Sequence, residues 1–413
     1  MTSKPSWISS REAAKQLDVK LSTLYAYTSR GLVESVPGPN GRGRLYARES
    51  IERLKTRHDA RAGHTAVAAG ALRWGEPTLE TSIVEIRSDG PYCRGRSLVA
   101  LADGSHSFES VCDLLWTGTE SAPRSGSGRW RVELPRVTLP APPTRPAPLA
   151  YVSAALALAA LSDEARHGAS DVQEHARARS LITWLAELVG GRGGKPEVPT
   201  RDGSVAARLL RGFGQRPSAH LTAIVDRALT LCADHELTAS TFAARVTAST
   251  GADLYACLGA GFYALNGPRH GGASARIEAL LREIGRPERT ASVVRERLER
   301  GEQIPGFGHP LYPDGDPRAV ALLALVAESK RSTPRLLRVL ALNAAMKRAH
   351  HPAPNFDIGL VALCSALSLP EGAPAALFAI GRCAGYVAHI LEQRQHGYLL
   401  RPRARYIAPS VSM

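Results

Sequence analysis

Cysteine is scarce in this 413-residue chain: there are six, Cys93, Cys112, Cys232, Cys257, Cys364 and Cys383, and they are scattered. No two form a C-x-x-C pair and none falls at a Cys/His spacing suited to zinc, which argues against a metal site and against a dithiol redox centre. They read as reduced thiols of the core or surface. Long apolar runs are missing too. The longest, about Leu149 to Leu161, is too short and too alanine-rich to cross a bilayer and reads as a packed helix. The opening residues, Met1-Thr2-Ser3-Lys4-Pro5-Ser6-Trp7, carry no apolar export segment and no cleavage site, so a cytoplasmic address without membrane attachment is expected. No internal repeat or low-complexity tract is visible. Acidic residues are in deficit, with 38 Asp+Glu against 52 Lys+Arg and a formal net charge of +14. The partners implied are anions, whether nucleic acid, nucleotide or polycarboxylate.

What is present is an ordinary globular composition, 44% apolar and 22% charged, in a chain longer than one hydrophobic core usually covers. Two or three domains are expected. The first 64 residues read as a separate unit. Ser10 is placed to cap a helix through about Leu17, Asp18-Val19-Lys20 makes a turn, and Ser22 is placed to cap a second helix to Arg30, ended by Gly31. Leu17, Val19, Leu24 and Leu32 would supply a small core. The segment Val36 to Tyr46, rich in Gly and Arg, reads as a wing before a third helix at about Glu49 to Arg57. Residues 1–64 hold 12 Lys+Arg against 6 Asp+Glu, a net +6, so the excess charge is concentrated here. The pattern resembles the MerR/excisionase-like winged helix-turn-helix family. That resemblance implies a second helix in the major groove and a wing on phosphate. Thr23, Tyr25, Tyr27 and Arg30 would then face bases or backbone, with Arg42 and Arg44 on phosphates. Such folds also serve as docking or dimerisation modules.

Beyond Arg61-Ala62-Gly63-His64, the alternation in Thr81 to Ile86, the Asp89-Gly90 pair and Pro91 to Arg96 read as a hairpin, expected to be the only sheet. A helix with Phe108, Val111, Cys112, Leu114 and Leu115 on one face follows, up to Trp116 and Gly118. About Ser121 to Pro148 reads as a surface connection. Helices are then expected at about Leu149 to Ser162, Asp171 to Val189, Val205 to Gly212, Leu221 to Cys232 and Ser240 to Leu265.

Chemistry is suggested by three residues. His270 lies in Gly267-Pro268-Arg269-His270-Gly271-Gly272, His309 lies 39 positions later in Gly306-Phe307-Gly308-His309-Pro310, and Asp357 follows another 48 residues on in Asn355-Phe356-Asp357. An amphipathic helix from Ala273 to Ile284 puts His270 near a helix N-terminus, where the macrodipole disfavours imidazolium. A neutral His270 would donate a hydrogen bond to an oxygen gaining charge, as in an enolate; a histidine capping a loop is the alternative. His309 repeats the device on a glycine-held loop. Asn355 is placed to cap a helix from Phe356 to Leu369, which leaves Asp357 in its first turn, ionised and able to act as a base, although acidic residues also decorate first turns routinely. Arg382 sits in the apolar stretch Leu377 to Ala388 with no acid within a turn, so its partner is either a ligand carboxylate or a distant Asp or Glu. Arg318 and Arg401 offer further carboxylate forks.

Residues from about Leu79 to Pro409 resemble citrate synthase. Six motifs stand in the family's order: Tyr92-Cys93-Arg94-Gly95; Asp234-His235-Glu236-Leu237-Thr238-Ala239-Ser240-Thr241; Gly267-Pro268-Arg269-His270-Gly271-Gly272-Ala273; Gly306-Phe307-Gly308-His309 with Asp316-Pro317-Arg318; Asn355-Phe356-Asp357; and Ala379-Ile380-Gly381-Arg382 with Arg401-Pro402-Arg403. The resemblance implies a mainly α fold of large and small helical domains, with a helix-turn-helix domain at 1–62 and a citrate synthase-like domain at 63–413. The large domain would take about 63–266 and 366–413, the small one about 267–365. It implies a homodimer that condenses acetyl-CoA with oxaloacetate through Asp357, His270 and His309. His235, Arg318 and Arg382 would hold the oxaloacetate carboxylates, with Arg401 reaching across from the partner subunit. No metal and no tightly bound cofactor is implied, acetyl-CoA being a co-substrate. Several positions depart from the family pattern: Pro310 stands for arginine, a basic residue near Pro313 is missing, and Thr238, Ser274 and Ile358-Gly359 replace two asparagines and an aromatic pair. These changes bear on CoA affinity and acyl choice, which keeps 2-methylcitrate synthesis from propionyl-CoA open. A metabolite-sensing, DNA-binding regulator with a weakened catalytic body is the alternative of another class.

Overall fold

The computed structural model describes residues 7–17, 19–29, 32–38, 43–48, 50, 51, 54, 79–119, 130, 132–141, 148–190 and 203–402. Two compact units emerge, Met1–Glu80 with Pro402–Met413, and Thr81–Arg401.

The first unit contains β1 (Trp7–Ser9), α1 (Ser10–Gln16), α2 (Leu21–Ser29), β2 (Ser35–Pro37) and β3 (Arg44–Ala47). The α1 cap is Ser9, whose Oγ accepts from the Glu12 amide at 3.2 Å, whereas Ser10, the expected cap, donates to the Arg44 carbonyl at 3.1 Å. Likewise α2 begins at Leu21, so Ser22 lies inside it. The wing strands do pair, with Ser35 opposite Tyr46, and β1 adds on the other side of β3 with Trp7 opposite Ala47. The expectation of a single sheet is therefore corrected: three-residue strands are too short to show an alternating pattern. Ile8, Ala13, Ala14, Leu17, Leu24, Val33, Tyr46 and Ile51 form the core, with Val19 packed against it. Leu32, expected inside, is 45% exposed and Val33 takes its place, because the Leu32 amide closes the end of α2 on the Tyr27 carbonyl and the next residue turns inward. Ser50, Ile51 and Leu54 are helical, within the span expected for the third helix, and Arg48, one residue before that span, is helical too.

The second unit opens with the sheet β4 (Val84–Arg87), β5 (Gly90–Cys93) and β6 (Arg96–Ser97), Val84 pairing with Cys93. Arg94 and Gly95 take φ of 49° and 79°, the left-handed pair that a two-residue hairpin turn demands. Helices follow: α3 (Leu98–Leu101), α4 (Phe108–Thr117), α5 (Pro148–Ser162), α6 (Asp171–Leu188), α7 (Val205–Gly212), α8 (Ala219–Cys232), α9 (Ala239–Ser249) and α10 (Leu254–Leu265). Then come α11 (Ala273–Ile284), α12 (Thr290–Glu299), α13 (Pro317–Glu328), α14 (Pro334–Arg348), α15 (Phe356–Ala366) and α16 (Ala373–His396). The single helix expected over 240–265 is two. Gly251 takes φ +80°, and Asp253 restarts the chain by accepting from the Ala256 amide at 2.9 Å. Similarly, the helix after Asn355 stops at Ala366 rather than Leu369.

All six cysteines are free and buried, which places them in the core. Among the described residues, no group of His, Cys, Asp and Glu could hold a metal ion. One helix, α16, is long and apolar enough to cross a membrane by length and composition, but 89% of its apolar window is buried within the protein. It is a core helix, packed along α4, α8, α9 and α10. The apolar stretch Leu377 to Ala388 singled out in the sequence is its middle part.

Those two glycines set how close α16 comes to the end of α8. A Cβ on Gly381 would lie 2.4 Å from the Cys232 Cβ, and one on Gly385 would lie 1.9 Å from Asp234 Oδ2 and 2.6 Å from the Ala233 carbonyl. The Gly385 amide donates to that carbonyl at 2.9 Å. Backbone this close has no room to yield. Gly385→Ala is expected to destabilise the protein by about 3 kcal/mol, the upper end for overpacking, read as a lowered midpoint in chemical denaturation; an unchanged midpoint would contradict the close crossing.

Candidate active site

The crossing at Gly381 and Gly385 brings Arg382 against the Asp234-His235-Glu236 turn. Arg382 is 0% exposed. Its Nη2 donates to the Glu236 carbonyl at 2.9 Å, to Thr241 Oγ1 at 2.7 Å and to Thr238 Oγ1 at 3.4 Å. Glu236 takes φ +59°, a left-handed conformation unusual outside glycine, which the bond to Arg382 helps hold. The acid near Arg382 is Asp234, 3.5 Å from Nη1. Arg382 Nε and Nη1 nevertheless lack hydrogen-bond partners among the described residues.

The histidines gather around a tyrosine. His235 Nε2 lies 3.0 Å from the Tyr312 hydroxyl, the His235 and His309 rings meet edge-on at 5.5 Å, and Tyr312 stacks on His309 at 5.1 Å. His309 Nδ1 accepts from the Leu311 amide at 3.2 Å, so a neutral ring carries its hydrogen on Nε2. The loop holding His309 bends through Gly306 and Gly308, at φ +96° and +77°. It is tied to the start of α15 from both sides: Gly308 N donates to the Ala353 carbonyl and Asn355 N to the Gly306 carbonyl, both at 2.9 Å. Asn355 Oδ1 also caps α15, accepting from the Asp357 amide at 3.1 Å, as expected from the sequence.

Arg318 joins these groups. Its Nε and Nη2 are bound by Asp316 at 3.1 and 2.7 Å, and its guanidinium lies 4.5 Å from the centre of the Phe356 ring. Phe356 meets Phe378 at 5.7 Å, and Phe378 meets His270 at 6.3 Å. His270 Nε2 is 2.7 Å from Ser240 Oγ, which contacts Thr238, one of the groups around Arg382. His235, His270, His309, Arg318 and Arg382 thus form one continuous cluster, and Asp357, next to Phe356 at the start of α15, lies within electrostatic reach of Arg318.

Electrostatics in the cluster run against charged imidazole. Burial pushes His270 down to about 4, with Arg382 adding to the effect. Burial, Arg318 and Arg382 drive His235 well below its ordinary value, and burial followed by Arg318 lowers His309. Burial is thus a cause of a neutral His270 beyond the helix end invoked from the sequence. Burial raises the Asp357 carboxyl to about 6, against the pull of Arg318 and Arg276, so that it is mostly ionised only above that pH. Part of its surface stays open to solvent. A carboxylate near 6 can take a proton from carbon, and neutral imidazole N–H groups can stabilise the resulting oxyanion.

The remaining sequence candidates lie elsewhere. Arg401 is exposed beyond α16, where the neighbouring Leu400 amide is held by Ser249 Oγ at 3.0 Å. On α2, Tyr25 is 50% exposed, Thr23 is partly exposed, and Tyr27 packs partly against the small core. Arg44, exposed on β3, donates from Nε to Ser35 Oγ at 3.0 Å. Arg30, Arg42 and Arg403 fall outside the described residues, as does most of the connection expected at 121–148. Sequence reasoning missed Tyr312, Asp316, Ser240, Thr241 and Phe378 as parts of the site. Asp316, two residues before Arg318, was the most discoverable, being both cap and carboxylate.

Burying the Asp357 carboxylate works against the fold. The native group, near 6 against an ordinary 3.8, binds its proton more tightly than the unfolded chain, so its contribution to stability falls between those pH values and stays low above them. Asp357→Asn is expected to raise stability relative to the native protein above pH 6, with a ceiling on the order of 3 kcal/mol, and to lose that advantage below pH 4. Denaturation curves across pH measure this; an Asn variant less stable at pH 7.5 would count against it.

Comparison with known proteins agrees with the arrangement of the chain. Residues 71–403 match the family model "Citrate synthase, C-terminal domain", and residues 8–62 match "MerR HTH family regulatory protein". Citrate synthase 2 of Bacillus subtilis is 34% identical over 275 residues, 63% of this chain and 73% of that protein. The 2-methylcitrate synthase of Shewanella oneidensis is 34% identical over 219 residues, 52% of this chain and 58% of that protein. Among solved structures, citrate synthase from Thermotoga maritima aligns with a TM-score of 0.67 and 27% identity, covering 82% of this chain and 96% of that one. A ternary complex of the Thermoplasma acidophilum citrate synthase with carboxymethyl coenzyme A and oxaloacetate shares the fold, with a TM-score of 0.70 at 24% identity over 84% of this chain and 97% of that one.

Proposed function

The chain belongs to the citrate synthase family of enzymes, and on that premise we propose that it condenses acetyl-CoA with oxaloacetate to give citrate and CoA. Asp357 takes a proton from the methyl carbon of the acetyl thioester, and the electron pair passes to the thioester oxygen, which His270 holds by an N–H bond. The enol carbon attacks the ketone carbon of oxaloacetate; the new C–C bond forms as the ketone π bond breaks onto oxygen, and His309 supplies that oxygen with its hydrogen bond and proton. Water then cleaves the citryl thioester to citrate and the CoA thiol. His235, Arg318 and Arg382 bind the oxaloacetate carboxylates, with Arg401 of the partner subunit completing the ring in a homodimer. Large and small helical domains, about 63–266 with 366–413 and about 267–365, close on the substrates, and the protein acts in the cytoplasm without a metal or bound cofactor. One observation carries the reading: a carboxyl raised to about 6 lies within electrostatic reach of Arg318, whose cluster holds imidazoles kept neutral and guanidiniums able to neutralise a small polyanion.

Propionyl-CoA, giving 2-methylcitrate, is supported by the Shewanella relative. The exposed Pro310, where the family has arginine, removes a cation from the CoA side but bears little on a single methylene, worth about 1–3 kcal/mol in a pocket. The N-terminal unit, similar to MerR regulators, presents Tyr25 outward from α2 and is proposed to contact duplex DNA.

Thiol release with oxaloacetate and either acetyl-CoA or propionyl-CoA tests the reaction. Asp357→Asn is expected to lose about 10²–10⁴-fold in kcat, and native kcat/KM to fall about tenfold per pH unit below the Asp357 value near 6. No thiol release from the native protein, with oxaloacetate still shifting the melting temperature, would favour a metabolite-sensing regulator instead. For the N-terminal unit, retention of duplex DNA in a low-salt gel shift is expected, weakening steeply with salt; no retention at low salt would exclude DNA contact.

A further inference from the structure

Two arginines of the cluster face acids of their own chain, and they do so differently. Arg318 is closed by Asp316, which takes both Nε and Nη2 at hydrogen-bond distance. Arg382 is left open: Asp234 Oδ2 stops at 3.5 Å from Nη1, and Nε, Nη1 and Oδ2 are all buried without hydrogen-bond partners among the described residues. A guanidinium–carboxylate bond closes at about 2.7–2.9 Å, so a shift of little more than half an ångström would complete the pair. Two opposite buried charges should collapse together unless something holds them apart.

The restraint comes from the far side of Asp234. Its Oδ1 accepts the Glu236 amide at 2.7 Å. Its Oδ2 lies 3.4 Å from Nε2 of His389, an imidazole 0% exposed, one residue past the turn of α16 that begins at Gly385. The hydrogen on that ring is assigned by its other nitrogen. His389 Nδ1 lies 3.4 Å from Arg245 Nη1, and a guanidinium can only donate, so Nδ1 accepts and Nε2 carries the hydrogen toward Asp234. Arg245, also 0% exposed, is fixed in turn: Nη1 donates to Glu392 Oε2 at 2.9 Å and Nε to Gln393 Oε1 at 3.1 Å, while the other Glu392 oxygen takes the Ser82 amide and hydroxyl at 2.7 and 2.9 Å. A line of buried polar groups therefore runs from Ser82 through Glu392 and Arg245 to His389, and Asp234 Oδ2 sits between two donors at almost equal distance, His389 Nε2 at 3.4 Å and Arg382 Nη1 at 3.5 Å, closed on neither.

We infer that His389 is a positioning residue that keeps the Asp234 carboxylate from closing on Arg382, and so holds two guanidinium donors ready for a substrate carboxylate. The inference rests on Arg382 being a carboxylate anchor, as proposed above. A ligand carboxylate binding Nε and Nη1 then competes only with an Asp234 carboxylate held short of hydrogen-bond distance, whereas without His389 it must displace one closed on Arg382.

Oxaloacetate binding to the full-length protein, followed by calorimetry alongside thiol-release kinetics, tests the point. His389→Phe is expected to raise the oxaloacetate Kd and KM about tenfold or more while kcat changes less than about threefold, a loss of binding uniform to ground and transition states. His389→Gln, whose carbonyl can accept from Arg245 while its amide donates to Asp234, is expected to restore affinity to within about threefold of native. Adding Asp234→Asn to His389→Phe is expected to recover at least about threefold in affinity, since a neutral amide no longer pairs with the guanidinium. Should the Phe variant not fold, His389→Met makes the same comparison. Native-like affinity in the Phe or Met variant, a Gln variant as weak as Phe, or no recovery on neutralising Asp234 would each overturn the inference while leaving the proposed reaction standing. A native protein that fails to bind oxaloacetate would overturn both.

Discussion

The structure of the catalytic unit turns on one buried guanidinium. Arg382 sits in the middle of an apolar core helix with no exposed surface, and an isolated charge there would cost far more than any single contact returns. Everything around it answers that cost. Two glycines let α16 approach the α8 end closely enough for Asp234 to stand by, Glu236 adopts a left-handed backbone to offer its carbonyl, and the first turn of α9 turns two threonine hydroxyls inward. The same concession in backbone geometry brings His235 to the cluster, because it lies between Asp234 and Glu236.

Burial is the dominant electrostatic effect throughout. It moves acids and imidazoles in opposite directions, raising Asp357 and lowering His235, His270 and His309, and the arginines reinforce the second effect while only moderating the first. A carboxyl near 6 and imidazoles kept neutral are thereby found over the same pH range, as the proposed base and hydrogen-bond donors require. The fold gives up stability to do this, a common condition of sites built for proton transfer.

Much of this was legible beforehand. Glycine, proline and capping residues located about half of the helices within a residue or two, while α3, α12, α13 and α14 were not anticipated, and the His270, His309 and Asn355-Phe356-Asp357 segments stood out because glycine-held loops and helix starts have local signatures. Errors came where the signal was short or cooperative. Three-residue strands in the N-terminal unit lacked a readable alternation, Gly251 broke a helix whose apolar pattern continues on both sides, and Leu32 yielded to Val33 because a single backbone bond at the end of α2 sets which residue turns inward.

Local chemistry in the chain determined which residues can ionise, donate or bend, and it placed helices and caps wherever their signals are local. It could not determine pKa values, since those depend on which distant segments exclude water from a group. Nor could it distinguish an arginine closed by its own acid from one left open. Asp316 and Arg318 are two residues apart and form their pair locally, whereas Asp234, Arg382, His389 and Arg245 meet only because α8, α9 and α16 pack together. Interactions between residues more than a hundred positions apart are a property of packing, and tertiary structure alone decides them.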